Sequence, residues 1–305
     1  MSKSKKIAIL TAVCCLLGGL ALAFVSIWML GFDFGKLNND VYVSKEQTVT
    51  ETFEHIDIKQ IDQDIRIVPA TQGECKLSWR ENEKLPVSIK VEEGTLCITQ
   101  TDERRWWDNI GIHFDDSENA ELTLYLPEGE YEKLLLKSVS GDIFVSKELS
   151  FSQATVHTTS GDVSLAAQIS AGLSMKTTSG DVRAEGVLGG AVLLESTSGD
   201  ISLSNSTADT LTINTTSGDM ELDTLTVQGS VQLDANSGDI EFKHLQAGEI
   251  NIEVTSGDVE GTLIGSYLFS AQSTSGNVRV PESDPGAAPC NIKTTSGDID
   301  VSPVQ

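Results

Sequence analysis

The chain has 305 residues, and its 45 acidic side chains outnumber its 21 basic ones, which gives a formal net charge of −24. A surface of this charge repels phosphates and anionic lipid headgroups, so the composition excludes nucleic-acid binding. The length would allow two domains, but the pattern described below indicates a single repeat architecture instead.

The first predicted element is an uncharged segment that follows a short basic tail. Lys3, Lys5 and Lys6 stand in the tail 1–6, and no charged residue occurs in 7–32. A helix of that length would span about 39 Å, which is enough to cross a hydrocarbon core of about 30 Å with some tilt. Because flanking lysines stay in the cytoplasm, we predict a single-pass cell-membrane protein with a cytoplasmic N-terminus and an extracellular C-terminal domain.

A cleaved signal peptide is the alternative for the same segment. Ala21-Leu22-Ala23 resembles a cleavage site. Cleavage there would leave an apolar new terminus, however, and the uncharged run is longer than a usual signal core. We therefore favour an anchor that is retained.

Two less regular regions follow the predicted anchor. Residues 33–50 are polar and suggest a stalk. Residues 51–133 contain several short alternating segments and a degenerate copy of the later repeat around Asp64. Because terminal units of repeat proteins are usually atypical, we interpret 51–133 as an irregular N-terminal β region that caps the repeats.

The rest of the chain, 134–302, is organised by a recurring Ser-Gly-Asp triplet. Eight copies and one Ser-Gly-Asn variant follow one another at intervals of 19–21 residues, which is typical of a repeat architecture. The predicted corner residues are Gly141, Asp142, Gly161, Asp162, Gly180, Asp181, Gly199, Asp200, Gly218, Asp219, Gly238, Asp239, Gly257, Asp258, Gly276, Asn277, Gly297 and Asp298.

Apolar residues occupy fixed positions around each glycine. The positions seven and five before it and two after it are apolar in every copy, as in Leu211, Ile213 and Met220 around Gly218. The position four after it is apolar except at Gly261. Alternation with polar residues indicates half-buried strands. Each copy is therefore two short strands joined at the triplet.

Parallel stacking of these units is predicted by their constant order. Antiparallel hairpins would reverse direction at each turn, whereas every copy presents the same sequence of positions and needs a return segment. The fold class we expect is all-β: a right-handed parallel β-solenoid of about nine coils, with an irregular N-terminal cap and a preceding transmembrane helix.

The triplet itself is predicted to be a tight corner. Glycine accepts a positive φ without steric cost, and the aspartate that follows it should point outward. The aspartates would then form a row spaced by about 4.8 Å. Such a row could attract cations, but Ca²⁺ wants six to eight oxygens and each coil offers one aspartate. We expect instead that each aspartate bonds its own backbone, and we predict no metal and no cofactor.

Two further candidates lie in 51–133. The stretch Arg104, Arg105, Trp106 and Trp107 is a candidate contact patch, but we favour the alternative that the two tryptophans cover the open end of the solenoid, because exposed tryptophan pairs are uncommon. Cys75 and Cys97 stand on neighbouring predicted strands and are candidates for a disulfide.

Several quoted motifs together resemble a known family. Gly31-Phe32-Asp33-Phe34, then Leu124-Tyr125-Leu126-Pro127, then tandem Thr-Ser-Gly-Asp-Val units are similar to the bacterial "putative adhesin" family of cell-envelope proteins, whose domain has no known function. The resemblance covers roughly residues 50–302. It implies a β-solenoid outside the membrane and carries over no catalytic residue.

The function we expect is surface binding without catalysis, by an extracellular β-solenoid of the bacterial cell envelope. The partner would be a cell-surface glycan or protein. One alternative is a regulatory or sensory envelope-stress protein. A second is a glycan-active β-helix enzyme, which is disfavoured because the four histidines are scattered and match no metal-binding spacing.

Overall fold

The computed structural model describes residues 16–21, 25, 42–104 and 121–304. Residues 16–21 and 25 are helical, and the remainder of the predicted membrane segment 7–32 lies outside the described residues. In the part of the chain that is described, no helix combines the length and apolar character needed to cross a membrane.

The described residues are almost entirely β-structure, with twenty-three strands in one continuous sheet. The strands are β1 Tyr42–Val49, β2 His55–Lys59, β3 Asp64–Pro69, β4 Cys75–Asn82, β5 Val87–Glu92, β6 Thr95–Gln100, β7 Glu121–Leu126, β8 Glu130–Ser138, β9 Ile143–Val145, β10 Ser150–Thr158, β11 Val163–Leu165, β12 Gln168–Ser179, β13 Val182–Glu185, β14 Ala191–Ser198, β15 Ile201–Ala208, β16 Thr210–Ser217, β17 Met220–Ser237, β18 Ile240–Ser256, β19 Val259–Leu263, β20 Tyr267–Ser275, β21 Val278–Arg279, β22 Ala288–Ser296 and β23 Ile299–Pro303.

Two parallel ladders run the length of the sheet. The strands that precede the corners stack in the order β6, β2, β8, β10, β12, β14, β16, the second halves of β17 and β18, then β22 and β20. The strands that follow the corners stack as β7, β3, β9, β11, β13, β15, the first halves of β17 and β18, then β19, β23 and β21. This arrangement confirms the predicted β-solenoid of about nine coils.

The N-terminal end adds antiparallel strands to the solenoid. β1 pairs with β4, β4 with β7, and β5 with β6, all antiparallel. Within the described residues the first strand therefore starts at Tyr42, inside the segment 33–50 that we assigned to a stalk. Regular stacking starts at β2 and β3, where Ile56 opposes Leu134 and Ile65 opposes Ile143.

The last two coils do not stack in chain order. Ser256 opposes Ser296, and Ser296 in turn opposes Ser275 on its other side. The coil of β22 and β23, which is last in sequence, is thus inserted between the two coils that precede it. Among the nine repeats, the predicted stacking of successive units is therefore broken at this step. In the cap, β6 and β7 likewise lie on the far side of β2 and β3 from β8 and β9.

Side-chain composition explains the inserted coil. β22 and β23 carry Ile292 and Ile299 into the core, each 1% exposed. The coil of β20 and β21 has Ala271 where β22 has Ile292, and its Val278 is 44% exposed. The more apolar coil is therefore covered on both sides, and the less apolar one forms the solvent-facing end.

The core is a single column of side chains between the two ladders. The predicted apolar positions are buried in nearly every coil. Gly261, the exception in the apolar pattern, lies under the fully buried ring of Phe242, and a Cβ on it would meet a ring carbon at 2.3 Å. The missing side chain of one coil makes room for the large one of its neighbour.

The corner glycines are required for two reasons. Their φ angles are positive, from 110° at Gly161 to 158° at Gly276. A Cβ added at Gly218 would also lie 2.2 Å from the carbonyl oxygen of Gly199 in the neighbouring coil. Glycine is therefore needed for the turn and for the close approach of successive coils.

Replacing Gly218 by alanine should separate these two requirements. Strain at positive φ and overlap with the neighbouring backbone should together cost roughly 2–6 kcal/mol. Gly73→Ala is the matched control, because Gly73 has φ 70° but no atom within 4 Å of an added Cβ. That control should cost about 1 kcal/mol. Urea unfolding measures both, and equal losses would contradict the close approach of the coils.

Candidate functional site

The corner aspartates form a hydrogen-bonded ladder along the solenoid. The backbone N–H of each donates to the Oδ1 atom of the aspartate in the adjacent coil, at 2.7–3.0 Å. For example, Asp219 donates to Asp200, and Asp239 donates to Asp219. We expected each carboxylate to bond its own backbone. That expectation is wrong, because the carboxylate reaches the next coil and ties the two together.

Both ends of the ladder are defined by the sequence. Asp64 of the cap occupies its first position and accepts a bond from the N–H of Asp142 at 2.7 Å. Asn277 occupies its last position, and its side-chain nitrogen lies 3.3 Å from both carboxylate oxygens of Asp298. No further coil follows Asn277 within the described residues. At this last position, a tenth aspartate would add another negative charge to the row. The amide of Asn277 instead donates to the neighbouring carboxylate.

The electrostatics at this end follow from the same contacts. The backbone N–H of Asn277, and then its side-chain amide, hold the pKa of Asp298 below its ordinary value of 3.8. The charged form of the carboxylate is thus the one that the ladder favours. By linkage, its stabilising contribution is present above pH 3.8 and is lost as the pH falls through the lowered pKa.

A buried hydroxyl bonds within the corner in three of the first coils, and sequence reasoning missed it. Ser138, Thr158 and Thr177 donate to the carbonyl oxygens two residues further on, at 3.0, 2.9 and 3.1 Å. These side chains are at most 7% exposed. The signal was available, because the position three before the glycine is Ser or Thr in most copies. The structural motif is therefore Thr-x-Ser-Gly-Asp.

The predicted absence of a metal centre stays a prediction. Among the residues that the structure describes, no group of three or more His, Cys, Asp or Glu side chains is placed to hold a metal. In the ladder, one oxygen of each carboxylate is already engaged by an N–H of the next coil. The aspartate ladder therefore connects successive coils through hydrogen bonds.

The candidate contact patch is only partly described. The Arg104 side chain donates two hydrogen bonds to the carboxylate of Asp102, at 2.9 and 2.8 Å. These contacts raise the pKa of Arg104. Arg105, Trp106 and Trp107 lie outside the described residues. Whether the tryptophans form a contact patch or a cover therefore stays a prediction.

The candidate disulfide does not form. Cys75 and Cys97 both carry free thiols. Cys75 is 5% exposed and belongs to the core, whereas Cys97 alternates with the buried Leu96 and Ile98 and so faces outward. Two thiols on opposite faces cannot be bridged.

A row of charged and polar residues lines the outer side of the parallel ladder formed by the strands that precede the corners. Each of these residues stands four positions before its corner. We call it the charged row. In spatial order it consists of Lys59, Lys137, His157, Lys176, Glu195, Asn214, Asp234, Glu253, Lys293 and Gln272. A shallow hollow of about 350 Å³ lies beside its C-terminal part and is lined by Asp234, Glu253 and Lys293 among others.

Substitutions at Asp219 test the ladder. Asp219→Ala removes the acceptor for the N–H of Asp239 and should cost about 0.5–1.5 kcal/mol. Asp219→Asn keeps an oxygen acceptor and removes a like charge, so it should be neutral or slightly stabilising. Urea unfolding provides the measurement. Equal destabilisation by both variants would show that the hydrogen bond is not the relevant contact.

Comparison with known proteins adds a family to this description. The fold is similar to crystal structures of a putative adhesin from Bacteroides fragilis NCTC 9343 (16% identity, 86% of this chain and 97% of that chain covered, TM-score 0.47) and of a putative lipid binding protein from Parabacteroides distasonis ATCC 8503 (17% identity, 87% and 98% covered, TM-score 0.49). No curated protein sequence matches the chain significantly. The model of the family described as Toastrack DUF4097 matches residues 53–302, and the chain belongs to that family.

Proposed function

We propose that this protein is a surface binding protein of the bacterial cell envelope, which displays its solenoid outside the membrane and acts by contact rather than by catalysis. The observation that carries the proposal is the register of the two parallel ladders. Equivalent side chains of successive coils stand in straight outward rows. Such rows present the same kind of group again and again, at a spacing of about 4.8 Å.

Rigidity supports a role in display. One hydrophobic core extends without a break from Val49 to Val301. The aspartate ladder adds a bond between neighbouring coils at the corner. A stiff array can engage a repetitive ligand at several points without losing much conformational entropy, and linked contacts of this kind raise the overall affinity.

The sequence supports the extracellular location. The uncharged segment 7–32 follows a basic tail, which is the order expected for a membrane anchor with its N-terminus in the cytoplasm. The buried thiols are compatible with an oxidising compartment. Burial raises the pKa of Cys75 to about 11 and that of Cys290 to about 12, so the reactive thiolate form is scarce.

Display on cells tests both parts of this proposal. Bacteria that carry the full chain with an epitope tag after Gln305 should be labelled by antibody without permeabilisation. They should also retain several-fold more purified wall polymer or matrix protein than cells carrying residues 1–41 alone, the matched control.

The two outcomes separate location from role. Labelling only after permeabilisation would contradict the extracellular location. Surface labelling without any gain in retention over the control would contradict the binding role.

A further inference from the structure

The charged row is divided by sign along the solenoid. Its N-terminal half carries Lys59, Lys137, His157 and Lys176. Its C-terminal half up to the inserted coil carries Glu195, Asn214, Asp234 and Glu253. The change of sign falls between Lys176 and Glu195, which are direct neighbours in the ladder and form an ion pair of 3.2 Å.

Two of these charges are exposed and unpaired within the part of the chain that the structure describes. Lys137 and Glu253 are exposed, and within the described residues neither forms an ion pair. Lys59 is paired with Asp57 at 2.7 Å, but 46% of its side chain remains exposed. A basic half-row is unexpected on a chain with net charge −24. It indicates a partner whose facing charges have the opposite order.

We propose that the charged row is an isologous interface between two copies of this chain. The two-fold axis would run parallel to the strands and pass between Lys176 and Glu195. A coil that lies a given number of steps before the axis in one copy would face the coil that lies the same number of steps after it in the other copy. Lys176 then faces Glu195. Of the other facing pairs, His157 meets Asn214, Lys137 meets Asp234, and Lys59 meets Glu253.

The neighbouring outward row is compatible with this pairing. It lies two residues earlier in each strand, and the same axis sets Thr155 against Thr212 and Ser174 against Leu193. Leu135 faces Gln232. In the paired coils, this neighbouring row holds a single carboxylate, that of Asp57. It meets Asn251 rather than another acidic residue.

The size of this face is sufficient for a specific dimer. The eight paired coils at about 4.8 Å, each contributing a strand face about 20 Å wide, offer roughly 800 Å² per copy, which is the area of a standard interface. The net negative charge of both copies opposes association, but it is screened beyond about 8 Å at physiological salt, whereas contacting pairs are screened less. A ligand of uniform charge would be attracted by one half of the row and repelled by the other.

This geometry specifies how the proposed surface function would operate. The axis places the N-terminal ends of the two copies at opposite ends of the pair, so the copies would meet from two facing surfaces. That statement about surfaces rests on the proposed function. The interface itself does not depend on it.

Sedimentation of the full chain in mild detergent tests the interface. We expect a concentration-dependent dimer at about 0.15 M NaCl that is at least about tenfold weaker at about 1 M NaCl. A monomer at all concentrations, or a dimer that is insensitive to salt, would overturn the proposal.

Charge reversal identifies the contacting residues. The variant Lys59→Glu/Lys137→Glu reverses two charges of the basic half, and Asp234→Lys/Glu253→Lys reverses the charges of the two residues that face them. Each alone should lose at least about tenfold in dimer affinity, and an equimolar mixture should recover it as a heterodimer. Glu221→Lys/Glu241→Lys is the control, because it changes the net charge as much as the second variant but lies on the other ladder. It should leave dimerisation intact.

Failure of the mixture to associate would overturn the interface, as would equal losses in the control. If a reversal variant fails to fold, the salt series on the unmodified chain decides. Clumping of cells that display the two reversal variants tests the facing surfaces separately. Pairing in solution without clumping would contradict the proposed display and leave the interface standing.

Discussion

The structure depends on the close contact between successive corners. Because glycine has no Cβ, the backbone of one corner approaches the carbonyl of the next to a distance that any other residue would prevent, as at Gly218 over Gly199. The same approach brings each aspartate N–H within 3.0 Å of the carboxylate in the adjacent coil. The triplet therefore sets both the turn and the rise from coil to coil.

Outward rows follow from this constraint. Since every corner is held in the same register, equivalent residues of different coils stand above one another, and a change in sequence becomes a change at a known height along the solenoid. This is why the division of the charged row into a basic and an acidic half has a direct geometric meaning. The ends are handled differently, with antiparallel strands at the N-terminus and with Asn277 and the inserted coil at the C-terminus.

Much of this architecture could be predicted from the sequence. The spacing of the glycines and the alternation around them were enough for the parallel stacking, the core positions and the outward aspartates, because these depend on local geometry repeated many times. The degenerate copy around Asp64 was also recognisable, and the structure places it at the start of the ladder.

Features that depend on distant contacts could not be predicted. The partner of each carboxylate lies in another coil, so a local rule suggested the wrong acceptor. The insertion of β22 between β18 and β20 reflects a comparison of the apolar content of two coils, which the constant period concealed. The candidate disulfide failed because proximity in sequence order did not reveal that Cys75 faces inward and Cys97 outward.

Distances between spin labels would test the stacking most directly. Labels at Thr159 and, in turn, at Thr255, Thr295 and Thr274, in a chain without native cysteines, span five, six and seven coil steps in the structure. At about 4.8 Å per step, the account predicts separations of about 24, 29 and 34 Å. A separation for Thr274 that is shorter than that for Thr295, or three distances that do not rise with coil number, would contradict it.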